Sequence, residues 1–185
     1  MIDDVLLGAE EKMERAIVSA RTDFSKIRSG RANPELFTSL LVDYYGAPTP
    51  LQQLATVSVP DARTVIITPY DRSAMKDIER AIAESDLGVN PTDDGQVLRI
   101  NMPALTEERR KDYVKLAKTK AEESRISVRG IRRKAKEELE ALKKDGEAGE
   151  DDVARAEKDL EALTKRFVEQ VDSLLAGKEK ELMEM

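Results

Sequence analysis

The chain of 185 residues contains no cysteine, no histidine and no tryptophan, and aromatic residues make up only 4% of it. Without cysteine there is no disulfide, no thiolate nucleophile and no cysteine-ligated zinc. Without histidine there is no imidazole base, no serine–histidine–aspartate triad and no HExxH metal site. These absences exclude the commonest catalytic centres, so an enzyme would have to use carboxylates, Lys, Arg, Tyr or backbone groups.

Long hydrophobic runs are also absent. No run approaches the roughly 18 apolar residues of a membrane span, and no basic region is followed by an apolar stretch at the start of the chain. We therefore expect no membrane segment, no signal peptide and a cytoplasmic location. Charged residues make up 37% of the chain, and its apolar residues are regularly spaced. This combination favours long exposed helices over disorder or an all-β core.

The net charge of −6 is unevenly distributed along the chain. Residues 105–144 hold 14 basic and 8 acidic residues, a net charge of +6, whereas residues 145–185 hold 6 and 13, a net charge of −7. Salt screening confines the field of a charge to about 10 Å, so the local balance decides polyanion binding more than the total does. The segment 105–144 is therefore a candidate nucleic-acid contact.

Apolar residues three or four apart predict three long helices, over 2–29, over 106–144 and from about 150 onward. Three such seams can bury one another in a three-helix bundle. The seam residues are Ile2, Leu6, Ala9, Met13, Ile17, Ala20, Phe24 and Ile27 in the first helix; Tyr113, Ala117, Ala121, Ser124, Val128, Ile131, Ala135, Leu139 and Leu142 in the second; and Val153, Ala156, Leu160, Leu163, Phe167, Val171, Leu174 and Leu182 in the third.

Residues 30–104 have a different character, with all seven prolines and several short β-branched runs. These runs predict strands at Leu40–Tyr45, Ala55–Val59, Thr64–Thr68 and Val97–Met102, interrupted by one short helix that begins near Met75. The predicted fold is therefore α+β. Residues 1–29 and 105–185 form the bundle, and 30–104 form an inserted β/α/β domain. Two connections join the domains, at Gly30-Arg31 and at Ala104-Leu105. We expect these two segments, side by side, to form a hinge.

The most informative motif is a set of five basic residues that share one helix face and have no acidic residue between them, which we call the arginine stripe. Like charges at these spacings repel, and arginine suits bidentate binding of phosphate. The alternatives are a solvated basic face or salt bridges to the acidic third helix. The stripe comprises Arg125, Arg129, Arg132, Arg133 and Lys136.

Two smaller basic clusters lie beside the predicted hinge. Arg109 and Arg110 precede Lys111 but follow two glutamates, so ordinary i,i+4 pairing is an equal alternative. Arg28 and Arg31 flank Gly30 at the other connection. Other motifs indicate less: Asn90–Gly95 is typical of a polar turn, and no GxxxxGK[ST] motif for nucleotide phosphates occurs.

The chain resembles bacterial ribosome recycling factors along essentially its whole length. The family is a two-domain, L-shaped protein of about transfer-RNA dimensions, with a three-helix bundle and a β/α/β domain on a two-strand hinge. The matching stretches are KIRSGRANP at 26–34, DYYGAPTPLQQLA at 43–55, SDLGVNP at 85–91, LTEERRKD at 105–112, VRGIRRKA at 128–135 and AGEDD at 148–152.

This resemblance implies ribosome recycling after translation termination. The bundle would lie on large-subunit ribosomal RNA, and elongation factor G with GTP would drive splitting of the ribosome into subunits with release of mRNA and tRNA. The family's RNA-contacting arginines fall on Arg129, Arg132 and Arg133, with Arg132 the most important. The family usually has Asn at the position of Gly130.

We accordingly expect a monomer without enzymatic activity and without a cofactor or metal, because GTP is used by elongation factor G. Two other classes of function stay open on the residues alone. One is a protein–protein adaptor or chaperone whose arginine stripe binds acidic partners. The other is an enzyme, disfavoured by the missing histidine and cysteine and by the lack of converging carboxylates.

Overall fold

The computed structural model describes residues 1–184, which divide into two compact units. One comprises residues 1–27 and 107–184, and the other comprises residues 28–106. The predicted α+β class is confirmed. In chain order the elements are α1 (Ile2–Ser25), α2 (Glu35–Thr38), β1 (Leu41–Tyr44), β2 (Ala47–Pro50), β3 (Ala55–Asp61), β4 (Thr64–Pro69), α3 (Met75–Glu84), β5 (Thr92–Asp93), β6 (Leu98–Asn101), α4 (Glu107–Lys144) and α5 (Glu150–Met183).

The first unit is a bundle in which α1, α4 and α5 each pack against the other two. Most predicted seam residues are buried, and they include Met13, Val128, Leu139 and Val171, which are fully enclosed. The seams therefore form the core that their spacing predicts. Periodicity did not reveal two polar residues that are also buried, Thr164 and Lys178. Thr164 directs its hydroxyl to the carbonyl of Leu160, and the Lys178 ammonium lies 3.4 Å from Glu181.

Helix α1 ends at Ser25, so the predicted extension of this helix to residue 29 is wrong. In the last turn the hydroxyls of Thr22 and Ser25 donate to the carbonyls of Val18 and Thr22. The Ile27 N–H donates to the carbonyl of Phe24 at 3.1 Å, an i→i−3 bond that closes the last turn. Beyond this end the chain carries no regular structure as far as Gly30, whose φ of +79° suits glycine.

The break between α4 and α5 follows the prediction from the glycine-rich segment at 145–149. Gly146 has a φ of +73° and donates its N–H to the carbonyl of Lys143 at 3.2 Å, while the Glu147 N–H donates to the carbonyl of Leu142 at 2.9 Å. This pair of bonds is a Schellman motif, which satisfies the last carbonyls of a helix. The two helices thus form an antiparallel hairpin.

The inserted unit contains a four-stranded antiparallel sheet of order β3-β4-β6-β5 and a separate hairpin of β1 and β2. Helix α3 buries Met75, Ile78 and Ile82 in a core shared with the sheet strands. Two strands escaped prediction. Strand β2 contains Pro48 and Pro50, which lower strand propensity and are tolerated because β2 pairs on one side only. Strand β5 has two residues, too few for a periodic pattern.

Candidate nucleic-acid interface

Helix α4 carries the whole arginine stripe, but its five side chains lie in different surroundings. A helix turns about 100° per residue, which places Arg125 and Arg132 next to the buried seam and the other three farther round the helix. We call Arg125 and Arg132 the inner pair. The outer trio comprises Arg129, Arg133 and Lys136. Exposure follows this order, since the inner pair is only partly exposed and the outer trio is exposed.

Arg125 is tied to helix α5. Its Nε and Nη2 atoms lie 2.8 and 2.7 Å from Oδ1 of Asp172, and its Nη1 lies 3.1 Å from Oε2 of Glu122. The side chain is only 19% exposed. Hydrogen bonding to Asp172 is the main cause that raises the pKa of Arg125 above its ordinary value, against the opposing effect of burial. The geometry therefore gives Arg125 a structural role between two helices.

Arg132 occupies an intermediate position. Its Nη1 donates to Oε1 of Glu161 on α5 at 2.6 Å, and its side chain is 37% exposed. Its Nε is buried and has no hydrogen-bond partner within the described residues. One end of the guanidinium is thus held by a carboxylate, while part of the side chain reaches the surface.

The outer trio has few partners. Arg129 lies 3.6 Å from Glu122 in a half-exposed pair, which contributes little in water. For Arg133 and Lys136, residues 1–184 supply neither an ion pair nor a side-chain hydrogen bond. The alternative of salt bridges to the acidic third helix thus holds for the inner pair. The outer trio keeps its positive charge available to an external anion.

The cluster at the start of α4 shows mixed behaviour. Lys111 lies 3.7 Å from Glu107, which is the ordinary i,i+4 pairing. The Nε of Arg110 is buried without a hydrogen-bond partner in the described part of the chain, so this arginine is partly packed into the bundle. Arg109 lies in the exposed first turn. All three belong to the bundle unit, as does the arginine stripe.

The arginines beside the predicted hinge lie in the inserted unit. The guanidinium of Arg28 donates to the carbonyls of Asp86 and Leu87, in the loop after α3, and lies 3.9 Å from the Asp86 carboxylate. These bonds give Arg28 a structural role in closing that loop. Arg31 is exposed, and its N–H donates to the hydroxyl of buried Ser29 at 3.4 Å.

The predicted hinge residues lie in segments without helix or strand. Gly30 and Arg31 fall between α1 and α2, and Ala104 and Leu105 fall between β6 and α4. The boundaries of the two units, at 27/28 and 106/107, lie two residues from each predicted boundary.

Sequence reasoning missed the acidic partners of the inner pair. Asp172 and Glu161 lie 47 and 29 residues from Arg125 and Arg132, so helical spacing within α4 gives no sign of them. A signal was nevertheless present. In an antiparallel hairpin that turns at Gly146, residues about equally far before and after the turn face each other, and Arg132 and Glu161 obey this relation. Asp172 lies about five residues farther from the turn than Arg125 does, so the relation does not lead to it.

The acidic motif that ends at Gly95 forms a turn. Asp93 and Asp94 accept hydrogen bonds from the N–H groups of Gly95, Gln96 and Val97, which confirms the polar turn. Across residues 1–184, no three acidic side chains come together in a way that could hold a metal ion. The helices in that range are all too short or too polar to cross a membrane.

The fold is that of a two-unit α+β protein built on a long helical bundle with one basic helix face. The sequence model of the ribosome recycling factor family matches residues 20–183. The chain is 63% identical over 183 residues to the ribosome-recycling factor of Kineococcus radiotolerans, with 99% of each chain covered. It is 61% identical to that of Beutenbergia cavernae, with both chains covered completely. The chain belongs to the ribosome recycling factor family, as its motifs predict.

Solved structures agree. A solution structure of a ribosome recycling factor matches with a TM-score of 0.79 and 38% identity, covering 100% of this chain and 98% of that one. A second match, with a TM-score of 0.68, 41% identity and 99% of each chain covered, is the Thermus thermophilus ribosome recycling factor, described with elongation factor G of Escherichia coli, bound to the post-termination complex.

Proposed function

We propose that this protein recycles ribosomes after translation termination. It binds the post-termination ribosome through large-subunit ribosomal RNA and, with elongation factor G and GTP, splits it into subunits and releases mRNA and tRNA. The proposal is supported by family membership and by a structural neighbour described with elongation factor G on the post-termination complex. The observation that supports it most directly for this chain is the arginine stripe, whose exposed outer trio has only one weak ion pair, between Arg129 and Glu122.

The RNA-binding surface in this proposal centres on the stripe. Charge on the outer trio supplies affinity for phosphates, and the long rigid bundle supplies placement, since RNA helices are recognised largely by shape and backbone. Arg132 adds a guanidinium close to the seam. Arg109 and Arg110 extend the surface toward the start of α4. Arg125 and Arg28 support it indirectly, because their guanidinium groups are bonded within the protein.

The protein does no bond chemistry in this proposal and needs no cofactor. GTP hydrolysis belongs to elongation factor G, and the protein acts as a monomer in the cytoplasm. Gly30-Arg31 and Ala104-Leu105 form the hinge about which the inserted unit moves when the partner factor acts on it. The lack of helix and strand at both connections supports this role.

A splitting assay tests the proposal. Post-termination ribosomes are mixed with the protein, elongation factor G and GTP, and dissociation is followed by light scattering. We expect a fall in scattering that requires all three components. If scattering does not fall in the complete mixture, while a known recycling factor lowers it under the same conditions, the proposed function is contradicted.

A further inference from the structure

A groove of about 380 Å³ lies between α1 and α4, on the opposite side of α4 from the inner pair. Its apolar lining comes from Val5 and Ala9 on α1 and from Ile131 and Ala135 on α4. The groove lies wholly within the bundle unit. Its volume falls at the small end of the range for small-molecule sites, about 300–1,000 Å³.

Two glycines inside helices widen this groove, Gly8 on α1 and Gly130 on α4. A glycine inside a helix lowers stability relative to alanine, so packing or function usually accounts for it. Packing does not account for these two, because a Cβ added to either residue would meet no atom within 4 Å. Both have ordinary helical backbone, so no special φ requires glycine either. What the two glycines provide is open space and bare backbone.

Three cations line the same groove, Lys12 on α1 and Arg133 and Lys134 on α4. Within residues 1–184 none of them has an ion-pair or side-chain hydrogen-bond partner. Two carboxylates also lie there, and one of these, Asp4, is paired with the amino group of Met1 at 3.7 Å. The other is Glu138. Cations therefore outnumber acids, and Arg133 also belongs to the outer trio, so the groove continues the proposed RNA surface.

We propose that this groove binds a single unstacked nucleotide of the ribosomal RNA. The base lies over the apolar lining and the bare backbone at the two glycines, and the guanidinium plane of Arg133 is available to stack on it. The phosphate lies toward Lys12 and Lys134. An unstacked nucleotide fits this groove in two respects. Its flat base matches the apolar lining, and its negative phosphate matches the cations. The inference rests on the proposed function and adds a defined contact to it.

The test fills the groove without disturbing the fold. Gly130→Leu places a side chain into the open space, and Gly8→Leu does the same from the other wall. The matched control is Gly177→Leu on α5, where an added Cβ also meets nothing within 4 Å and which is not among the residues that line this groove. Each variant is assayed by thermal melting and by titration onto 50S subunits. We expect all three to melt at or above the wild-type temperature.

In the titration, Gly130→Leu and Gly8→Leu should each weaken binding at least tenfold, while Gly177→Leu stays within twofold of wild type. Normal binding by both groove variants overturns the inference and leaves the proposed function intact, since wild type and control still bind and split ribosomes. Failure of wild type itself to bind or split contradicts the proposed function instead. If one groove variant melts below wild type, the binding of the other variant, which fills the groove from the opposite helix, is the test of the inference.

A direct probe locates the RNA. The chain has no cysteine, so Glu137→Cys, exposed on α4 beside the groove but not part of its lining, can carry a tethered iron–EDTA group as the only attached reagent. We expect cleavage of 23S RNA concentrated on a few nucleotides, weakened when Gly130→Leu is added. Ser173→Cys on α5 is the control position and should not give these cuts. Equal cleavage with and without Gly130→Leu would overturn the inference.

Discussion

The two edges of helix α4 both carry basic residues, but these residues have different roles. On the edge that faces α5, the inner pair of arginines donates to Asp172 and Glu161. On the outer edge, the trio of Arg129, Arg133 and Lys136 has one weak contact, to Glu122. All five residues carry the same charge, and the inner pair differs in lying nearer the buried seam, within reach of α5. Their difference arises from a neighbouring helix with a net charge of opposite sign.

This comparison separates affinity from stability along a single stripe. Ion pairs that are partly enclosed between helices stabilise the bundle, while exposed cations without partners contribute little to folding and most to a polyanion contact. Substitution of the outer trio should therefore change binding alone. Substitution of Arg125 should change stability alone. Substitution of Arg132, which is bonded at one nitrogen and partly exposed, should change both stability and ribosome binding.

The largest effect is expected from replacing the whole outer trio by alanine. Each lost phosphate contact reduces the salt slope of binding by about one, so the triple variant should bind ribosomes about 100-fold or more weakly at low salt. Its unfolding free energy should change by no more than about 0.5 kcal/mol per site. The control is Arg155, Lys158 and Lys165→Ala on α5, which removes the same charge elsewhere. Equal losses in both variants would mean that only net charge matters.

Arg132→Ala should weaken ribosome binding by about 10- to 100-fold, in line with about 1–3 kcal/mol for a guanidinium contact to RNA. Because its partner Glu161 is 61% exposed, the pair is screened by water on that side, and loss of stability should stay below about 1 kcal/mol. Arg132→Lys should restore binding only in part, since an ammonium lacks the two-nitrogen fork. The measurement is ribosome affinity at two salt concentrations beside a thermal melt. A strongly lowered melting temperature would reassign Arg132 to structure.

Arg125→Ala should do the reverse. The loss of charge-assisted bonds to a half-exposed carboxylate is expected to lower the unfolding free energy by about 1–2 kcal/mol, while ribosome affinity stays within about twofold. Asp172→Asn should lower stability as well. In a double-mutant cycle the two changes should be non-additive, because they remove the same interaction. Additive effects, or a large loss of binding, would place Arg125 in the RNA contact.

Sequence periodicity predicted the bundle because the spacing of apolar residues within each helix shows which face of that helix is buried. The buried seam from Ala9 to Phe24 could be predicted without knowing which helices pack against it. The end of α1 was missed because the apolar spacing continues to Ile27, which is buried although it lies beyond the last helical residue. Strand β2 was missed because its prolines argue against a strand in general and are tolerated only on an edge.

The site shows the same limit more sharply. Spacing identified the five members of the arginine stripe and also places two of them nearer the seam, but the carboxylates that bind this inner pair lie on α5, distant along the chain. Symmetry about the turn at Gly146 could have identified Glu161 but not Asp172. The groove beside Gly8 and Gly130 requires two helices to be placed against each other, so no single segment could have predicted it.

The smallest effect, and the finest test of the comparison, is expected from Glu161→Gln. Oε1 of Glu161 lies 2.6 Å from Nη1 of Arg132, so an RNA phosphate must compete with this carboxylate for the guanidinium. An exposed ion pair is worth about 0.2–1 kcal/mol, which limits the gain in ribosome affinity to about fivefold. An amide keeps a hydrogen bond but not the charge, so stability should fall by less than about 1 kcal/mol.

Glu169→Gln serves as its control, because it removes one negative charge from α5 and is exposed. If the carboxylate only competes for Arg132, Glu161→Gln should bind more tightly at low salt than both wild type and Glu169→Gln, and the advantage should shrink as salt rises. If Glu161→Gln instead binds at least tenfold more weakly, the carboxylate serves to position Arg132 for RNA. Arg132 would then bind RNA as the outer trio does, although it is bonded to a carboxylate of α5 as Arg125 is. A single side chain would therefore combine the properties of the two edges.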